Sequence, residues 1–288
     1  MGRAVSGVHN LQVAQIQSNP GQRPVSVQRR FAFPPRRLVL LAPPNAFIPK
    51  IFHDARENYQ DHRSLLSEIQ RFRGQVYLAD GAIEQSDLTD GRHVAPADDH
   101  SWHFLVHDSN GDIAGCIRYH AHDLSSLLLR LSVYNTSLAA CPEWGPTLKQ
   151  AVESEIALAK TRQFSFVEVG GWAVAEHVRG TAEPLRLGLV AYGLSQLMGG
   201  AVGLCTATRR HCSSSILRRI GGRFLEHEGT AIPAYYDPRY ACEMDILRFH
   251  SWNPNPRYAQ WIEEIRNSLQ RLTIICSPSS ALVSAASA

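Results

Sequence analysis

No two of the six cysteines stand at CxxC spacing; Cys116, Cys141, Cys205, Cys212, Cys242 and Cys276 are scattered along the chain. That argues against a zinc ribbon and against a disulfide framework, and points to a reducing cytoplasm. Long apolar runs are missing as well. The longest near the start, Leu38 to Ala42, lies between the Pro34-Pro35 and Pro43-Pro44 pairs and is far shorter than a signal-peptide core or a membrane span. A soluble, unsecreted protein is therefore expected. Charge of neither sign dominates: 29 Lys and Arg stand against 26 Asp and Glu, so bulk electrostatics make no case for nucleic acid or membrane. There is no internal repeat and no HExxH, and although His100/His103 and His120/His122 are closely spaced, nothing completes a ligand set, so no metal is expected.

What is present suits one sizeable core: 288 residues, 44% apolar and 19% charged. Residues 1–49, rich in Gly, Pro, Gln, Ser and Arg, read as a flexible arm. From Ile51 to Arg73 the positions Phe52, Ala55, Tyr59, Leu66, Ile69 and Phe72 recur at helical spacing, with Gly74 as a stop. His103–His107 and Ile113–His120 alternate like strands around Asp108-Ser109-Asn110-Gly111-Asp112, whose Asn and Gly tolerate positive φ, so a hairpin is predicted.

Further on, Thr147–Arg162 reads as a helix behind Pro146, Phe164–Val174 as a strand, and Ala182–Met198 as a helix apolar on most sides and hence buried. Val202–Ala207 and Ala241–Phe249 read as strands, with Ser213–Ile220 a short helix between them. Residues 251–288 are expected to hold one amphipathic helix after Asn255-Pro256 and a loose Ser/Ala-rich tail. The division is thus 1–49 arm, 50–250 catalytic-size domain, 251–288 helix and tail.

The most informative stretch runs from Glu168 to Ala182, a strand passing through a small-residue turn into a buried helix. A helix start exposes backbone N–H groups and the positive end of the peptide dipoles, so Gly180, Thr181 and Ala182 are candidate cradles for a pyrophosphate. Arg179 and Arg186 flank that turn and are candidates for charge-assisted contacts to the same anion, although Arg186 reads equally well as a solvated surface residue.

His177-Val178-Arg179-Gly180-Thr181-Ala182 resembles the donor-binding signature of the GCN5-related N-acyltransferase (GNAT) superfamily at Gly180 and Ala182, with His177 where Gln or Arg is usual. The order of elements, ending in Ile216–Phe224, supports that resemblance. More narrowly, Phe72-Arg73-Gly74-Gln75-Val76-Tyr77, Gly115–Arg118, Glu168, Leu217–Gly221 and Ile232–Phe249 resemble the acyl-homoserine-lactone synthase and N-acyl amino acid synthase branch.

The resemblance implies an α/β (α+β) fold, a mixed and mostly antiparallel sheet flanked by helices and splayed between the family's fourth and fifth strands. It also implies direct aminolysis of an acyl thioester, with acyl-CoA or acyl-carrier-protein phosphopantetheine as co-substrate and backbone N–H groups near Trp172, Ala173 and Val174 polarising the carbonyl. An acid must then accept the amine's proton. Glu168 is the first choice, its pKa expected to be raised by burial, and Glu176 the second. Arg118 is expected to pair with Glu168 or to clamp an acceptor carboxylate; an ion pair that only serves the core is the competing reading. His103 is a candidate for lining the acceptor pocket.

Arg209, Arg210, Arg218, Arg219 and Arg223 surround one short helix. By default they form a solvated basic face, and under the resemblance a dock for an acidic acyl-carrier protein; no nucleic-acid motif accompanies them. Cys116 and Cys205 read as small core residues. Acetyl transfer from acetyl-CoA and a non-catalytic thioester-binding sensor remain alternatives to the acylation of an amino-acid-like amine.

Overall fold

The computed structural model describes residues 38–124 and 131–277. Within them, Leu38–Leu41 (β1) and Asp54–Glu57 (β2) precede Tyr59–Ala79 (α1), followed by the hairpin Trp102–His107 (β3) and Ile113–His122 (β4). Next come Gly145–Arg162 (α2), Ser165–Val174 (β5), Glu183–Leu197 (α3), Ala201–Thr208 (β6) and Ser213–Ile220 (α4). The short strands Arg223–Phe224 (β7), Glu226–His227 (β8), Thr230–Ala231 (β9) and Tyr235–Asp237 (β10) lead to Cys242–His250 (β11), Ala259–Leu269 (α5) and Thr273–Cys276 (β12).

One mixed sheet runs β10-β11-β6-β5-β4-β3-β1-β12-β2, with β7 on β11. Its pairs are antiparallel except β5 with β6, β1 with β12 and β12 with β2. Helices cover both faces, so the architecture is the α/β class expected, a mixed and mostly antiparallel sheet flanked by helices. α1 packs Leu66 and Ile69 on Leu41, Leu105, Cys116 and Ala173, and α2 packs on Phe166, Val202 and Leu204. The opposite face carries α3, and α5 lies over α3, so α3 is buried nearly all round as its composition predicted. At Gly193 a side chain would meet Ile265 Cγ2 at 2.9 Å, so close contact between α3 and α5 depends on that glycine.

Several boundaries differ from the sequence reading. Leu38–Leu41, assigned to the arm, is a buried strand joined to β3 and β12; residues 1–37 lie outside the described part. Gly74 does not end α1, which runs on to Ala79; it is where the loop after α1 comes closest, with Leu88 Cδ2 3.0 Å and His93 N 3.3 Å from an added side chain. Thr273–Cys276, assigned to the tail, is a strand between β1 and β2, while residues 278–288 are not described. The Asp108 turn forms as predicted, its carboxylate accepting from Asn110 N at 2.8 Å.

Candidate active site

The parallel pairing of β5 with β6 runs only from Ser165↔Ala201 to Glu168↔Leu204. Beyond Glu168 the two strands part. β6 continues against β11 as far as Thr208, and β5 continues against β4 as far as Val174. The gap opens at the carboxyl ends of two parallel strands, a place where open α/β sheets hold ligands.

A bulge accompanies the splay. Cys116 faces Ala173 but Arg118 faces Gly170, so Gly171 and Trp172 together oppose the single residue Ile117. Gly171 has φ +59, and a side chain there would meet Arg73 Nη1 at 3.0 Å and Arg118 Cβ at 3.3 Å, which is why glycine stands at this point. The extra residue also shifts the inside-outside alternation. Val167 and Val169 join the α3 face before the bulge, whereas Val174 does so after it.

Ala175 N donates to Ala114 O on the β4 side, so strand alternation turns the polar backbone of Val174 toward the gap. Its carbonyl there accepts from Arg179 Nε at 3.1 Å, and its N–H faces the same space.

Two cavities meet at this place. The first, about 260 Å³, is lined by the free ends of β5 and β6, including Trp172, Ala173, Val174 and Thr206, and by Ile216 and Leu217 of α4. The second, about 1250 Å³, is lined by His93, His100, His120 and His122 among others. Arg118, Ser132, Glu168, Arg239 and Tyr240 line both.

Below the junction lies a buried polar cluster built on Asp98. Its carboxylate accepts from Arg73 Nη2 at 2.6 Å and Nη1 at 3.1 Å, from Arg118 Nη1 at 3.0 Å, from Gln70 at 3.1 Å and from Ala95 N at 2.9 Å. Arg73 and Asp98 side chains are each only 1% exposed. Burial favours the neutral acid, but the two guanidinium groups outweigh it and hold Asp98 well below the usual carboxylate range. Sequence reasoning missed Asp98, because nothing local links it to arginines 25 and 20 positions away.

Arg118 therefore pairs with Asp98, and the expected Arg118–Glu168 ion pair does not form. Among the described residues the second terminal nitrogen of Arg118 has no acceptor, and Nε is buried without one.

Glu168 is held instead by Ser132 and His122. Ser132 N donates at 2.9 Å to Oε1 and 3.1 Å to Oε2, Ser132 Oγ donates to Oε1 at 2.5 Å, and His122 Nε2 lies 2.9 Å from Oε2. Burial pushes the Glu168 carboxyl up, but the His122 and Ser132 contacts prevail and lower it, against the expectation of a raised pKa. Glu176 is exposed and lines neither cavity.

The donor-side residues divide. Arg179 lines the first cavity, but its guanidinium is tied to Asp80 at 2.7 and 3.0 Å. Arg186 lies outside both cavities, bonded to Glu183 at 2.9 Å and near the Trp261 ring. Thr181 N already donates to Val178 O, and Thr181 Oγ1 accepts from Glu183 N. Gly180, Thr181 and Ala182 line neither cavity; the Gly180 and Ala182 amides stay out of these turn bonds, and an added Cβ at Gly180 would meet nothing within 4 Å. His177 is near Asp108 at 3.4 Å.

His103 does not line the second cavity; it is buried, its Nε2 2.8 Å from Asp98 O. Among the described residues no group of three or more His, Cys, Asp or Glu is placed to hold a metal ion. Cys116 is buried, which pushes its thiol up to about 11, as befits a core residue. No helix of the described residues is long and apolar enough to cross a membrane.

Burial pushes His93, His103 and His120 down to about 4. Between the ordinary 6.5 and about 4 the unfolded chain binds protons that the folded chain refuses, so stability must fall as pH falls through that window. The thermal midpoint is expected to drop across it, and to drop less for His103→Gln. An equal pH slope in the two proteins would contradict this.

No family model and no curated protein matches the sequence. Among solved structures, the chain is similar to BjaI, a CoA-dependent acyl-homoserine lactone synthase (14% identity, TM-score 0.48, covering 87% of this chain and 98% of that one). It is also similar to FeeM, an N-acyl amino acid synthase from uncultured soil microbes (13%, 0.42, 75% and 91%), and to the AHL synthase LasI (13%, 0.43, 74% and 90%). At such scores these likenesses concern overall fold and carry no weight for the chemistry of the site.

Proposed function

We propose that the protein is an N-acyltransferase that moves an acyl group from a thioester to an amine by direct aminolysis. The observation that carries this reading is the meeting of two cavities at Glu168, one entering through the splay between β5 and β6 and one from the histidine-lined side. A thioester carbonyl in the splay lies against the gap-facing amide of Val174, which supplies a donor to the charge that develops on oxygen. An amine in the second cavity approaches from the opposite side, with no covalent enzyme intermediate.

An amino-acid-like acceptor fits the second cavity because Arg118 brings an unused guanidinium edge to the junction, held in place from behind by Asp98, and a guanidinium fork matches a carboxylate. The donor is acyl-CoA or an acyl-carrier protein. For the carrier, α4 matters: Ile216 and Leu217 line the donor cavity while Arg218 and Arg219 of the same helix are exposed beside it, with Arg223 just after. Arg209 and Arg210 contribute less, since Arg209 is tied to Asp245 and Glu243 and Arg210 to backbone carbonyls.

Incubation with acyl thioesters on CoA and on carrier protein, together with pooled amino acids, followed by mass spectrometry, tests the reading. Catalytic amide formation is expected; thioester binding with no amide would leave a sensor. Gly180→Val is expected to weaken thioester affinity roughly tenfold, about 1.4 kcal/mol, because the first side-chain carbon there meets no protein atom and any loss reports the ligand. Unchanged affinity by calorimetry would place the phosphates elsewhere.

A further inference from the structure

Glu168 is poorly suited to take a proton itself. Three donor groups occupy its two oxygens, all from Ser132 and His122. Every proton it gained would displace one of those bonds in a buried place. His122 is different. One ring nitrogen is fixed against Glu168 Oε2 at 2.9 Å, and the ring lines the second cavity. On one side it is stacked by His120, with ring centres 4.1 Å apart and 25° between planes, and His100 lies beyond at 6.5 Å from His120. A carboxylate that accepts from one imidazole nitrogen leaves the other as the basic one and steadies the ring when it becomes charged.

Resting on the aminolysis reading, we infer that His122 is the catalytic base of the site and that Glu168 is its positioning residue. The attacking nitrogen forms its bond to the carbonyl carbon and gives its proton to the unbound nitrogen of His122. The carbon–sulfur bond then breaks, and the departing thiolate takes that proton, so amide and thiol leave and the imidazole is neutral again. Glu168 remains a carboxylate throughout.

Among the described residues, the charged and titratable groups around His122 are Glu168 on β5, His120 on its own strand, His100 before β3, Arg118, and Asp123 and Arg239 at the rim of the cavity. Burial and the neighbouring imidazole push His120 down to about 4, so it stays neutral near pH 7.

The test uses the full chain with the thioester and amine pair that yields amide. His122→Gln is expected to lower kcat by at least about 100-fold, to leave thioester affinity within about twofold, and to abolish the acid limb of kcat that the wild-type protein shows at saturating acceptor. Added to His122→Gln, Glu168→Gln is expected to lower kcat by less than about threefold, since it acts through a ring that is already gone. Undiminished turnover in His122→Gln overturns the proposal, as does a Glu168→Gln effect of equal size in both backgrounds. The wild-type pH profile stands without any variant: a kcat flat on the acid side overturns the proposal even if His122→Gln fails to fold. A wild-type protein that makes no amide from any donor overturns the aminolysis reading instead, and the proposal with it.

Discussion

Exchanging Asp98 for alanine is expected to destabilise the fold by roughly 3–5 kcal/mol, the range for breaking a buried ion pair from one side. The loss is large because Arg73 is almost wholly enclosed and has no route to water. Its guanidinium would keep only His93, whose carbonyl and Nδ1 accept from it, as compensation. Arg118 would lose the partner that aims it at the junction of the cavities. Urea denaturation measures the first effect, and a raised KM for a carboxylate-bearing acceptor measures the second. A variant within about 1 kcal/mol of the wild type would show that the cluster is not the strut described above. The double variant Arg73→Met, Asp98→Ala should recover part of the loss, since a buried pair replaced by apolar groups is often near neutral.

Glu168→Gln should lower turnover by roughly 10²–10⁴-fold with little effect on thioester affinity. An amide in that position keeps one acceptor oxygen but turns an NH₂ group toward either Ser132 or His122, both of which donate to the carboxylate. The imidazole would rotate or change tautomer, while the splay and the first cavity would keep their shape. A fall in affinity equal to the fall in turnover would make Glu168 a binding residue rather than part of the proton path.

Much of the scaffold is readable without coordinates, for physical reasons. The β3–β4 hairpin follows from two alternating runs joined by Asp-Ser-Asn-Gly-Asp, and α3 from an apolar segment too long for a strand. β1 and β12 escape notice because each is four residues long and sits in a Pro/Arg-rich or Ser/Ala-rich setting, where composition outweighs so short a buried run. The bulge escapes because Gly170-Gly171 reads equally well as the end of a strand, and only the register against β4 shows that one extra residue has been absorbed.

The site divides in the same way. Glu168, Arg118 and Trp172–Val174, all singled out in the sequence, line the same cavity. Their partners are not legible: His122 reaches Glu168 across 46 positions through the pairing of β4 with β5, and Ser132 reaches it across 36 from the turn Ser132–Asn135. His120 and His122 catch the eye as metal ligands because they are close in sequence. Residues two apart on a strand point to the same face, which stacks the two rings upon each other.

The strand Thr273–Cys276 lies between Leu38–Leu41 and Asp54–Glu57, pairing in parallel with each. During synthesis from the ribosome, Leu38–Leu41 can already pair with Trp102–His107, but Asp54–Glu57 must wait, unjoined, until residue 276 has emerged. The last residue to line either cavity is Met244, so a nascent chain can assemble the cleft and its histidines while the opposite margin still exposes open backbone to chaperones and proteases.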